Sequence, residues 1–222
     1  MPARILPARI LIAKSMVLLA VALFPHIAAA QTHDQNNGPD QKQTAIFAGG
    51  CFWCVEEAFE KTEGVIEAVS GFTGGTVKNP AYKQVASGKT DHIEAVKVIY
   101  DSTQIGYSDL LVTFWRNIDP HDSGGQFCDR GQQYSSAIFV DGENQRAKAK
   151  DSKTALEKSG KLEAPVVTPI REAKTFYPAE EYHQAYYKKR AFRYNFYKTT
   201  CGRPARLKEI WSGVDVSALI GR

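Results

Sequence analysis

The chain has 222 residues and a formal net charge of +4, with 43% hydrophobic and 23% charged residues. That is an ordinary balance for one folded domain with a real core. Three of the positive charges, Arg4, Arg9 and Lys14, lie in the first 30 residues, so the remainder carries only +1, and no basic stripe with interleaved aromatics points to a nucleic-acid partner.

Behind those three cations come the apolar run Met16 to Phe24 and the small residues Ala28, Ala29 and Ala30. This is the layout of a secretory signal peptide cut after Ala30. The run is too short to span a bilayer unaided, and an uncleaved anchor is the alternative. An exported protein follows, in the periplasm of a bacterial cell, with no stable membrane association once the signal is removed. Residues 31–43 form a polar leader.

Thr44 to Ala48 predicts a strand, Gly49-Gly50 a tight turn, and Val55 to Lys61 a helix. Cys51 then falls at or beside a helix N-terminus, where unpaired backbone N–H groups stabilise a thiolate. It is the strongest candidate for a nucleophile, its bland alternative being a small buried side chain. The spacing to Cys54 also fits thiol–disulfide exchange. Zinc would need more ligands, but Cys128 and Cys201 are isolated, and His92, His121 and His183 form no ligand motif. In an oxidising compartment the four cysteines could instead form two structural disulfides. Phe52 and Trp53 serve as an apolar lip or as core.

Val65 to Ser70 predicts the next strand, and "HIEAVKVIYD" another with Glu94 at an edge or end. "YSDLLVTFWRNI" predicts a helix capped by Ser108 and ended by Asp119-Pro120. "DPHDSGGQFCDRGQQY" is a long polar loop of the kind a rigid scaffold presents to a substrate. "SSAIFVD" is a strand, "ENQRAKAKDSKTALEKSG" a helix closed by Gly160, and "PVVTPIREA" a strand-like segment. A helix is predicted from Pro178 to about Lys188–Arg190, and from Thr199 a loop with a short terminal helix. The alternation gives a two-layer α/β domain, helices packed on a mixed or antiparallel sheet. No glycine cluster matches a nucleotide-binding loop.

"GGCFWCVEEAF" resembles the active-site signature of the peptide methionine sulfoxide reductase A family. "YKQVASGKTDHIEAVKVIYD", "DRGQQYSSAIF" and "YPAEEYHQAYY" extend the resemblance, in order, across residues 44 to 201. It implies an α/β sandwich with a ferredoxin-like reductase core, a catalytic domain over 44–198 and a recycling tail over 199–222. It further implies reduction of the S-epimer of methionine sulfoxide, free or in proteins, without a cofactor or metal. Cys51 would attack the sulfoxide sulfur, Phe52 and Trp53 would cradle the methyl group, and Glu94 would deliver a proton to oxygen. Tyr82 and Tyr134 match the tyrosines that hydrogen-bond that oxygen, Asp129 the acid that arranges substrate and water, and Tyr186 a tyrosine of the later helix.

A sulfenic acid left on Cys51 condenses readily with another thiol. The resemblance makes Cys201 the resolving residue, with Cys54 able to intercept, Cys128 a neutral pocket or core residue, and a thioredoxin-like donor restoring the thiols. Two features depart from the family pattern. The tail has one cysteine where two are familiar, and Asn117-Ile118 precedes the Asp-Pro pair where histidine is common. General thiol–disulfide exchange through Cys51 and Cys54, and a disulfide-stabilised peptide-binding module, are the competing readings.

Overall fold

The computed structural model describes residues 41–221, so the segment expected to be a signal peptide and most of the expected leader lie outside the described residues. Strand β1 (Lys42–Gly49) leads through Cys51 into helix α1 (Phe52–Glu60), and β2 (Val65–Thr73) follows. A short helix α2 (Tyr82–Ala86) precedes β3 (Ile93–Asp101), and α3 (Tyr107–Arg116) comes next. The segment expected as an open loop contains the hairpin β4 (Gly125–Gln126) and β5 (Asp129–Arg130). Then come β6 (Ser136–Val140), α4 (Gly142–Lys158), β7 (Ile170–Glu172) and β8 (Tyr177–Pro178). The chain ends in α5 (Tyr186–Lys189), α6 (Ala191–Thr200), α7 (Arg203–Trp211) and α8 (Val216–Leu219).

The main sheet runs β7-β6-β1-β3-β2-β8, with only the β6–β7 pair parallel. Its inner four strands, β6-β1-β3-β2, are joined as β-α-β-β-α-β, the split arrangement of the ferredoxin-like fold. Alternation along each strand sorts side chains between two faces. Ala45 and Phe47 of β1 and Val96, Val98 and Tyr100 of β3 join the large core under α1, α3 and α4. Ala48, Ile93 and Ala95 face the other way, in a small cluster with Phe139. The large core centres on Phe47, whose ring stacks on Phe59 of α1 at 4.9 Å and Phe114 of α3 at 5.2 Å. Among the described residues no helix is long and apolar enough to cross a membrane.

Several local expectations are corrected. Helix α1 begins at Phe52, one turn before Val55, with Cys51 as its N-cap. Gly106, not Ser108, caps α3, because the Asp109 carboxylate accepts the Gly106 N–H at 2.9 Å and fixes the first turn two residues earlier. Pro178 lies in β8 rather than at a helix entrance. The helix expected after it is broken at Ala185, which is left-handed (φ 50°). Tertiary bonds impose the break: the Gln184 amide accepts from Ser70 N–H and donates to Ser70 C=O, both at 2.9 Å, extending the sheet edge beyond β8. The tail past Cys201 is helical rather than a loop, and buries Trp211 and Val216 against the core.

Candidate active site

The turn before Cys51 is held from both sides. Gly50 is left-handed (φ 82°), and a Cβ there would lie 2.5 Å from Gln126 Cβ, so the β4 hairpin packs where a side chain would stand. The buried Arg203 at the start of α7 donates to Gly49 C=O and Asn117 C=O, both at 2.7 Å. Tail and hairpin together fix the backbone that aims Cys51 into the protein, where it is 6% exposed.

The helix entrance does not act as expected. Phe52 N–H, a free donor of the first turn, is taken by the Glu94 carboxyl at 3.1 Å. Burial pushes the Cys51 thiol well above the ordinary range, and Cys54, Glu94 and Asp129 add to it. Cys54, a neighbour within hydrogen-bonding reach, is held low chiefly by the bond from Cys51, against burial and with help from Arg203, Tyr194 and Lys198. Burial, reinforced by the acidic groups around it, therefore holds Cys51 toward its protonated form rather than as a standing thiolate.

Glu94 is the second residue of β3, an inner strand of the sheet, so it sits at a strand end but not at a sheet edge. Pleat alternation turns it, with Val96 and Val98, toward the helices, and it is 2% exposed. Burial raises its pKa to about 8; the Phe52 N–H opposes the rise and Asp129 reinforces it. At neutral pH Glu94 is thus a buried, protonated carboxylic acid. Tyr82, which opens α2, and Tyr134, which ends the short 3₁₀ turn after β5, complete the donor set. Burial first and Glu94 second push both phenols up, Tyr82 to about 12, so both keep their protons. Asp129 accepts the Tyr197 hydroxyl; burial raises its pKa, while Tyr197 and Arg203 oppose the rise.

Beside these polar groups lies an aromatic cleft of about 500 Å³ that includes Trp53, Tyr82, His183, Tyr186 and Tyr197. The Trp53 ring stacks on Tyr186 at 3.9 Å and 8°, and its indole N–H donates to His183 Nδ1 at 3.1 Å. Phe52 is fully buried behind them, 6.2 Å from the Tyr82 ring.

The structure gathers Cys51, Phe52, Glu94, Tyr82, Tyr134, Asp129, Trp53 and Tyr186 around one locus. The two sulfurs expected to meet in the reaction cycle are not bonded to each other here. Cys201, the C-cap of α6, is disulfide-bonded to Cys128, while Cys51 and Cys54 are free thiols. Cys128 is neither core nor pocket lining. The β4–β5 register leaves Phe127 and Cys128 as the hairpin tip, where Cys128 is exposed. Cys128, Asp129 and Cys201 form the one trio of possible metal donors among the described residues, and its two sulfurs are spent on each other. Sequence reasoning missed Tyr197, Arg203 and the packing role of His183. Histidines were weighed only as metal ligands, although "YHQAYY" already set His183 among aromatics.

A reducing sulfur, a buried acid, two phenolic donors and an aromatic cleft define a thiol-dependent oxidoreductase that removes an oxygen atom from a polarised substrate. Comparison with known proteins narrows the class. Residues 43–214 match the peptide methionine sulfoxide reductase family. The chain is 54% identical over 153 residues to the peptide methionine sulfoxide reductase MsrA of Ligilactobacillus salivarius, covering 69% of this chain and 89% of that one. It is 47% identical over 171 residues to MsrA of Listeria innocua, covering 77% and 97%. Among solved structures it resembles Mxr1 of Saccharomyces cerevisiae in reduced form, with a TM-score of 0.62, 30% identity and coverage of 69% and 88%. It also resembles methionine sulfoxide reductase A of Corynebacterium diphtheriae, with a TM-score of 0.60, 33% identity and coverage of 69% and 77%. The chain belongs to the peptide methionine sulfoxide reductase family. It is an enzyme, a peptide-methionine (S)-S-oxide reductase, and general disulfide exchange through Cys51 and Cys54 is not the favoured activity.

Proposed function

We propose that the substrate methyl group sits against Phe52 and Trp53 with the sulfoxide oxygen toward Glu94, Tyr82 and Tyr134. Cys51 gives its electron pair to the sulfoxide sulfur while Glu94 protonates the oxygen. The S–O bond of the substrate breaks, the oxygen passes to Cys51, and the products are methionine and a Cys51 sulfenic acid. The proton that leaves Cys51 balances the one Glu94 supplied. The observation that carries this reading is the buried Glu94 carboxyl bonded to the Phe52 N–H beside Cys51, where burial favours the protonated acid: a carboxylate could not donate. Asp129 arranges substrate and water, and Tyr186 fixes Trp53 by stacking.

Cys201, when reduced, condenses with the sulfenic acid, releasing water and forming a Cys51–Cys201 disulfide. Cys128 then attacks Cys201, which frees Cys51 and leaves the Cys128–Cys201 bridge present in this structure. That bridge sits at an exposed hairpin tip, open to a thioredoxin-like dithiol that returns it to two thiols. Support for an exported enzyme comes from the basic, apolar and small-residue order of residues 1–30, and the periplasm follows if the host is bacterial. N-terminal sequencing of the secreted form tests that order, with Gln31 as the expected first residue.

The activity is tested with both sulfoxide epimers and dithiothreitol. S-sulfoxide turnover that disappears in Cys51→Ser, with a sulfenic or cross-linked Cys51 trapped in the parent enzyme, is expected. Normal turnover by the serine variant refutes the assignment.

A further inference from the structure

We propose that Arg190 and Arg193 make this cleft select methionine sulfoxide flanked by acidic side chains in a polypeptide, an inference that rests on the reductase reading above. Helix spacing puts Arg193 and Tyr197 at i and i+4, with Arg190 one turn earlier at the N-cap, so the three share a face. All three border the cleft that holds Trp53 and Tyr186. Because Tyr197 reaches Asp129, the row runs from the reacting centre out to the rim.

The neighbouring cations are already spent. Lys188 pairs with Glu60, Lys189 with Glu181 and Lys198 with Glu57. Neither arginine is in an ion pair among the described residues, and both are exposed. The nearby carboxylates do not answer them: Glu180 accepts the Tyr82 N–H at 3.1 Å, and Glu181 is held by Lys189. Two guanidinium forks with unused donors therefore stand at the mouth of a cleft whose floor is aromatic. A carboxylate is the protein group that matches such a fork with two parallel hydrogen bonds. In an extended peptide a side chain one or two residues from the sulfoxide lies about 3.5–7 Å along the chain, near enough to reach the rim. Phe192 and Phe196, 89% and 66% exposed, lie one turn apart beside this row and give the peptide an apolar strip to follow.

The test uses two end-capped peptides of identical length with a central S-methionine sulfoxide, one flanked by glutamates and one by lysines. The caps remove terminal carboxylates, and free methionine sulfoxide, which carries its own, forms a third arm. At about 0.02 M salt the expected kcat/KM ratio is about fivefold in favour of the glutamate peptide, shrinking toward one at about 0.5 M as exposed charges are screened. The double variant Arg190→Glu, Arg193→Glu is expected to invert the order. Because the readout is a ratio of two substrates on one enzyme, a general loss of activity in the variant does not disturb it, and the salt series needs no variant. A ratio near one at low salt overturns the proposal, as does a preference that survives in the double variant. So does an advantage confined to the free amino acid, which would assign the effect to the main-chain carboxylate. Turnover without preference sinks this inference alone, whereas no turnover of any sulfoxide by the parent enzyme sinks the reductase reading and this one with it.

Discussion

Glu94→Gln isolates the proton on which the chemistry depends. The substitution keeps an oxygen to accept Phe52 N–H, 3.1 Å away in the parent, so the start of α1 and the aim of Cys51 are preserved. What disappears is the acidic hydrogen. A positioned general acid is worth about 10²–10⁴ in rate, which corresponds to about 3–5 kcal/mol of barrier. The pH profile gives a second measure. With a pKa raised by burial to about 8, roughly nine in ten Glu94 side chains are protonated at pH 7 and about one in ten at pH 9. The active form is the protonated one, so activity holds below pH 8 and falls as pH rises through it, by about tenfold per unit beyond. A demand for a Cys51 thiolate alone would slope the other way, because deprotonation increases with pH. The assay is single-turnover release of methionine from an S-sulfoxide peptide between pH 6 and pH 10, without external thiol, so that no reductant titrates in the same range. Parent activity that is flat or rising from pH 7 to 9 refutes the argument, as does a glutamine variant within about threefold of the parent.

Cys128→Ser is expected to leave dithiothreitol-driven turnover in place and to cut steady-state turnover driven by a protein dithiol at least about tenfold, since the exposed exchange step is lost; equal rates with both reductants would remove Cys128 from the cycle. Glu56→Leu should lower thermal stability, because Glu56 accepts the N–H of left-handed Ala185 at 2.9 Å and leucine strands that donor, at a cost of about 1–3 kcal/mol. Glu56→Gln keeps the acceptor and should recover most of it in a denaturant melt. Burial raises the Glu56 pKa to about 7. The folded state therefore holds its proton above the ordinary carboxyl range, and the parent should lose stability relative to the glutamine variant as pH rises from about 4.5 to 7. Gly50→Ala forces a side chain into a left-handed turn against Gln126, and should give a protein whose melting midpoint and sulfoxide turnover both fall.

How much of this was legible in the sequence depended on range. Local signals worked where neighbours in the chain decide the outcome. The β1 run, the glycine turn and the apolar side of α1 place Cys51 at a helix entrance, whereas strand propensity put Glu94 only at an edge or end of a strand and its place beside Cys51 came from the family resemblance. The expectation of a thiolate weighed the free N–H groups of a first turn but not the burial of Cys51 or the capture of the Phe52 N–H by a carboxyl 42 residues away. The break between α5 and α6 was invisible for the same reason. Nothing in "YPAEEYHQAYY" announces that Gln184 will pair with the backbone of β2 or that Glu56 will take the Ala185 N–H. The hairpin tip carrying Cys128 was hidden by strands of two residues each, too short for any periodicity to register.

One helix ties the chemistry to the shape of the cleft. Helix α1 presents Cys51, Phe52 and Trp53 at its start, and one to two turns later a set of acids that grips the C-terminal segment. Glu56 holds the Ala185 N–H, Glu57 the Tyr194 hydroxyl and Lys198, and Glu60 the Tyr187 hydroxyl and Lys188. Glu57 shows how firm that grip is. Burial alone would raise its pKa, yet Lys198, Lys61 and Tyr194 together bring it down to about 2. Tyr186, which stacks on Trp53, and Tyr197, which reaches Asp129, lie on the segment so held. The wall that closes over a sulfoxide is thus fastened to the same rigid element that carries the attacking sulfur. A change in the seating of α5 and α6 therefore alters the distance between nucleophile and substrate directly, without passing through the sheet.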